Sequence, residues 1–244
     1  MRKRLTIGTA VFIVAAFVFF GTWAEAQVTL VSYTGQEAAK ASLPLSLEVP
    51  PGIPLQLARF ATSQPRPFQG YQYTLQNSGD RPIVALAIQW KYYVAGKPSV
   101  SALNRADFWL AGPKGWLAPG QERDFYLGGM ITKGGELASH VVGVPVYVEF
   151  DDGTRLGSEA DTLFPEIASA RRAFVAECQH ALTVYDGSGK QALSLELIHA
   201  ESSPPAEMGR RAAGGMLLSK WRKGGLQAVV AELKRISSLK VTGY

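Results

Sequence analysis

The stretch Tyr71 to Val94, YQYTLQNSGDRPIVALAIQWKYYV, constrains the fold more than any other part of the chain. Tyr71, Tyr73 and Leu75 alternate with Gln72, Thr74 and Gln76, the period-two pattern of a strand with one buried face. Asn77-Ser78-Gly79-Asp80 interrupts it with turn-forming residues. A second strand follows, in which Val84, Leu86, Ile88, Trp90, Tyr92 and Val94 share one face while Ala85, Ala87, Gln89 and Lys91 share the other. The large, tryptophan-bearing face requires a second sheet to cover it.

Similar signals continue on both sides. Val28 to Tyr33 reads as a first strand, and Gln36 to Ala41 fits no single element. Leu45, Leu47 and Val49 alternate, as do Ile53, Leu55 and Leu57, with a bend at Pro50-Pro51-Gly52 between them; 61–69 reads as a loop. Gly96-Lys97-Pro98 marks a turn, and Pro119-Gly120 favours a tight turn with glycine at positive φ. Phe125 and Leu127 restart a strand. Val142 to Phe150 alternates cleanly into Asp151-Asp152-Gly153, the turn of a hairpin that returns through Leu156. About seven short strands spaced by turns predict a two-sheet sandwich.

The string TLQNSGDRPIVALAIQW, followed by LAPGQ and then VPVYVEFDDG, resembles the immunoglobulin-like sandwich domains of bacterial exported proteins, including the cell-adhesion-related group. The likeness covers roughly residues 45–157 and rests on turn chemistry and alternation. It implies a fold and an exported location, and brings no active site with it.

After Ser158 the period changes. Ile167, Ala170, Phe174, Cys178, Ala181, Leu182 and Tyr185 recur at steps of three and four, with Arg171, Arg172, Glu177 and Gln179 between them. That predicts an amphipathic helix with Pro165 near its first turn, ended by Gly187-Ser188-Gly189. Helical pieces are also expected over 191–200, over 206–223 with an interruption at Gly214-Gly215, and over 226–238. The fold class is therefore mainly β, an immunoglobulin-like antiparallel β-sandwich (27–157) followed by a C-terminal α-helical region (158–244).

Arg2-Lys3-Arg4 precedes an uncharged apolar run, Leu5 to Trp23, that closes on Ala24-Glu25-Ala26. This is the layout of a secretory signal peptide over residues 1–26; the alternative is an uncleaved anchor, and either places the remainder outside the cytoplasm in the periplasm or beyond. Without residues 1–26 the chain loses Arg2, Lys3, Arg4 and Glu25, leaving 22 basic against 19 acidic residues, a charge of +3. Cys178 is the sole cysteine, so no intramolecular disulfide forms and the fold relies on its core.

Little of the chemistry reads as catalytic. His140, His180 and His199 are scattered, and Cys178 and His180 point to different sides of a helix, so no metal site or cofactor is expected. Gly-x-Ser-x-Gly and His-Glu-x-x-His motifs are absent, and Gly187-Ser188-Gly189-Lys190-Gln191 lacks the upstream glycine and hydroxyl of a phosphate loop. The segment 206–244 carries eight basic residues against Glu207 and Glu232. Arg210, Arg211, Lys220, Arg222 and Lys223 are therefore candidates for an anionic surface, against the plainer reading that cations suit helix C-termini. Tyr93, Trp109 and Trp116 are candidates for contact with a ligand or partner. The sequence thus points to an exported, non-catalytic binding or structural module of the cell envelope, whose partner is a protein or envelope polymer and not nucleic acid. Peripheral attachment to a membrane surface through the basic helices, and a periplasmic hydrolase with a scattered site, are the alternatives.

Overall fold

In the computed structural model, which describes residues 45–63, 70–128 and 140–241 and the backbone of 17–19, the alternating stretch 71–94 is divided between two sheets. β4 (Gly70–Asn77) is the centre of a three-stranded antiparallel sheet, flanked by β3 (Leu55–Ser63) and β7 (Glu122–Gly128). β5 (Ile83–Val94) lies in a six-stranded sheet ordered β1 (Phe17–Phe19), β6 (Lys97–Asp107), β5, β8 (His140–Phe150), β2 (Leu45–Leu47), with β9 (Arg155–Leu156) also paired to β8. β2 runs parallel to β8 and β9 antiparallel to it. The signal-peptide reading of residues 1–26, apart from that three-residue strand, and the strand expected at 28–33 lie outside the described residues.

The tryptophan face is covered as alternation requires. The Trp90 ring is fully buried and meets the edge of Tyr73 from β4 at 4.8 Å, while Phe125 of β7 stacks on Tyr73 at 5.4 Å. Asn77 ties the crossing between sheets: its amide donates to the Leu117 carbonyl at 2.9 Å and its Oδ1 accepts from the Gly79 N–H at 3.0 Å. Some expectations change here. Ile83 to Ile88 are buried on both faces, as in a strand covered on each side, a burial that the alternation alone does not give for Ala85 and Ala87. β3 runs on to Ser63, into the expected loop, and β6 begins at Lys97, directly after a two-residue turn at Ala95-Gly96.

Two long helices complete the chain, α1 (Ala160–Glu201) and α2 (Met208–Ser237), joined through a 3-10 turn at Pro205–Glu207. Neither is straight. Gly189 (φ 75, ψ −166) and Gly225 (φ 70, ψ −171) adopt a backbone conformation open essentially to glycine alone. Residues 220 and 232 would stand about 18 Å apart along one straight helix. Lys220 Nζ nevertheless lies 2.8 Å from Glu232 Oε2. Glu177 and Glu196 likewise both reach Arg210, at 3.0 and 2.9 Å. Each helix is therefore a hairpin of two antiparallel arms with its corner at the glycine. The break expected at Gly214-Gly215 does not occur. Gly214 instead packs so closely on α1 that a Cβ there would stand 2.3 Å from the Glu201 backbone nitrogen.

Contacts divide the chain into two compact units, but not at residue 157. One holds Met1–Asp80, Ala87–Ala106 and Leu117–Pro145; the other holds Arg81–Leu86, Asp107–Trp116 and Val146–Tyr244.

Candidate functional site

Within the helix-bearing unit, the apolar stripe of α1 contains a charge. Arg171 sits between Ile167 and Phe174 at steps of four and three, on the buried face, and is 2% exposed. Its Nε and Nη2 donate to the two oxygens of Asp107, both at 2.8 Å. Nη1 and Nη2 donate to the two oxygens of Glu149 at 2.9 and 2.8 Å. The Tyr147 hydroxyl donates to Glu149 at 2.8 Å, the Trp109 N–H donates to Asp107 at 3.1 Å, and the Trp109 ring stands 5.3 Å from the guanidinium. Two carboxylates share one cation. Burial accordingly holds the Asp107 carboxyl above its ordinary range, against the pull of Arg171 and with a push from Glu149. Asp107 and Glu149 are nearly as buried as the arginine. The cluster has the chemistry of a clamp, which fixes a helix to strand ends, and offers nothing for a substrate to reach.

A second charged centre lies where the arms of α1 meet α2. Arg210 Nε faces Glu177 Oε2 at 3.0 Å, Nη2 donates to Glu196 Oε1 at 2.9 Å and meets His199 Nδ1 at 3.3 Å, and Nη1 lies 3.6 Å from Glu207. His180 Nε2 is 3.6 Å from the same Glu196 oxygen. Glu177 is 7% exposed, and burial raises its carboxyl pKa despite Arg210. Both Arg171 and Glu177 were expected between the apolar positions of the helix, on its polar side, and both are buried.

The residues singled out from sequence are dispersed. Tyr93 stacks on His140 at 4.3 Å, Trp109 belongs to the Arg171 clamp, and Trp116 is half-buried after a short 3-10 turn. Of the five basic candidates, Arg210 and Lys220 are held in ion pairs with α1 and α2 carboxylates, Arg222 is exposed and lies 3.9 Å from Glu201, and Arg211 and Lys223 are exposed. Cys178 is wholly buried, and burial pushes its thiol up to about 12. No helix among the described residues is long and apolar enough to cross a membrane.

No protein-family model and no curated protein matches the chain. Among solved structures, a hypothetical protein from Peptoclostridium difficile 630, determined by X-ray crystallography at 1.85 Å, is similar over 43% of this chain and 86% of its own, at 14% identity and a TM-score of 0.34.

Proposed function

We propose that the chain is an exported binding or structural module of the cell envelope, without catalytic activity of its own, built on an immunoglobulin-like β-sandwich. Strand order supports the sandwich: β3-β4-β7 and β6-β5-β8 correspond to the A-B-E and C′-C-F sets of that fold, and the two-residue β9 stands where its last strand would begin. The observation that carries the binding role is β3. Among the described residues its outer side has no partner strand, and it presents Phe60 at 45% exposure. An edge of this kind takes up an extended segment of a partner by main-chain pairing, with the side chain supplying specificity.

The test is a photo-crosslinking residue placed at Phe60 in growing cells, with a second at Arg222 as comparison. The reading expects a discrete adduct with an envelope protein or polymer from Phe60 alone, and a mature chain that starts at Gln27. Absence of any adduct at Phe60, or an enzymatic activity that disappears on changing His140, His180 or His199 singly, would reverse it.

A further inference from the structure

The free edge of the three-stranded sheet ends a row of aromatic side chains. Phe125, Tyr73 and Phe60 are register partners across β7, β4 and β3, so all three stand on one face of the sheet. Phe125 stacks on the buried Tyr73, and Phe60 closes the row at 45% exposure. A bulge between Leu57 and Arg59 sets this phase: without the extra residue, alternation from Leu57 would turn Phe60 to the opposite face. Edges are ordinarily blunted by a lysine, a proline or an inward-pointing charge, or bent by a bulge. On β3, LQLARFATS, the bulge leaves the register with β4 unbroken from Arg59 to Ser63, and the one charge is drawn off. Arg59 lies on the other face and leans across β4, away from the edge: Nε donates to Thr74 Oγ1 at 3.0 Å, and Nη2 stands 3.5 Å from Glu122 and 3.7 Å from Asp124 on β7. The rim is left uncharged, with an aromatic ring on it.

We infer that the occupant of this edge is β3 of a second copy of the chain, paired antiparallel about a two-fold axis at Phe60; the inference rests on the reading of β3 as the binding edge. Such an isologous pairing sets Phe60 of one copy against Phe60 of the other, and Arg59 against residue 61 rather than against its own like. The aromatic row then runs without a gap through six strands, Phe125-Tyr73-Phe60 meeting Phe60-Tyr73-Phe125, with both ends on the same face. A partner of other sequence continues the row only where it offers an aromatic residue at that place; a second copy always does. Like charges stay apart as well. At about 4.8 Å per strand, the carboxylates on the two β7 strands are about 24 Å from one another, beyond the screening length of about 8 Å. No side chain has to leave its position for the two edges to meet, because Arg59 is already held over its own sheet.

Sedimentation velocity of the purified full chain tests this. A contact of one nine-residue strand per copy is at the small end of interfaces, below about 1,200 Å², so a reversible dimer that dissociates at micromolar concentration is expected. Phe60→Lys brings two ammonium groups together at the axis and weakens the dimer by about 100-fold or more. Leu195→Lys, at a 65% exposed apolar position on α1, leaves it unchanged. Both side chains are exposed, so neither substitution unfolds the chain, which circular dichroism checks. In cells that carry a tagged and an untagged copy, a photo-crosslinking residue at position 60 joins the two. Monomeric sedimentation throughout the micromolar range, or a dimer indifferent to Phe60→Lys, overturns the proposal. So does a position-60 adduct with a different molecule and none between copies, which leaves the binding edge itself standing; no adduct of any kind removes both.

Discussion

Arg171 uses four of its five N–H donors on two carboxylates that approach from different strands, and these are 64 and 22 residues away in sequence. A sequence reading by periodicity assigns a charged side chain to the solvent side of a helix, which is where most of them belong. The distant partners that make its burial tolerable cannot be seen from the helix alone. Arg171→Met leaves Asp107 and Glu149 buried without a counter-charge and is expected to cost about 3–5 kcal/mol at neutral pH, read by urea denaturation. The sign of its pH dependence follows. Orphaned and desolvated, the Asp107 carboxyl, which burial already raises, has a folded pKa above its unfolded one, near about 4. Stability held below that value is lost as pH rises through the folded pKa. The deficit relative to wild type therefore narrows as pH falls from 7 toward 4, and a deficit that widened on acidification would show that the guanidinium is not what neutralises the pair.

Among the elements, those with strict alternation were legible: β4, β5 and β8 lie within a residue or two of where their patterns place them. The helical region was legible in outline because its apolar steps of three and four are sustained. The breaks expected at Gly187-Ser188-Gly189 and between 223 and 226 stand at Gly189 and Gly225, and what failed was the break expected at Gly214-Gly215. Gly214 has a helix-breaking reputation, yet it sits inside α2 because only a residue without a Cβ lets the α1 backbone come so near. At the corners, Gly189 and Gly225, open space surrounds the Cα and only φ demands glycine. This separates three substitutions by thermal melts. Gly187→Ala, in helical backbone with nothing close, is neutral or stabilising by up to about 1 kcal/mol. Gly189→Ala costs about 1–3 kcal/mol through the backbone alone. Gly214→Ala costs at least as much, because the two helices must move apart to accept the methyl group.

For the molecule as a whole, a boundary placed at the end of the β pattern does not match how contacts cluster. Arg81–Leu86, Asp107–Trp116 and Val146 onward group with the helices. Ending the chain at residue 157 therefore strips strands β5 and β8 of part of what buries them. Such a fragment is expected to lack a cooperative thermal transition by circular dichroism, whereas a sharp transition would mean that the β-half folds alone. The period switch near Ser158 marks where secondary structure changes, which is a local property. Where a folding unit ends is decided by long-range pairs such as Asp107 with Arg171.

The one sulfhydryl of the chain, Cys178, lies at the heart of the helical hairpins with its pKa displaced to about 12. At neutral pH the reactive anion is then present in only about one molecule in 100,000, and solvent does not touch it even there. A folded protein so arranged does not cross-link to its neighbours through this thiol, and maleimide consumption by this natural probe becomes a clock for the opening of the helices from within.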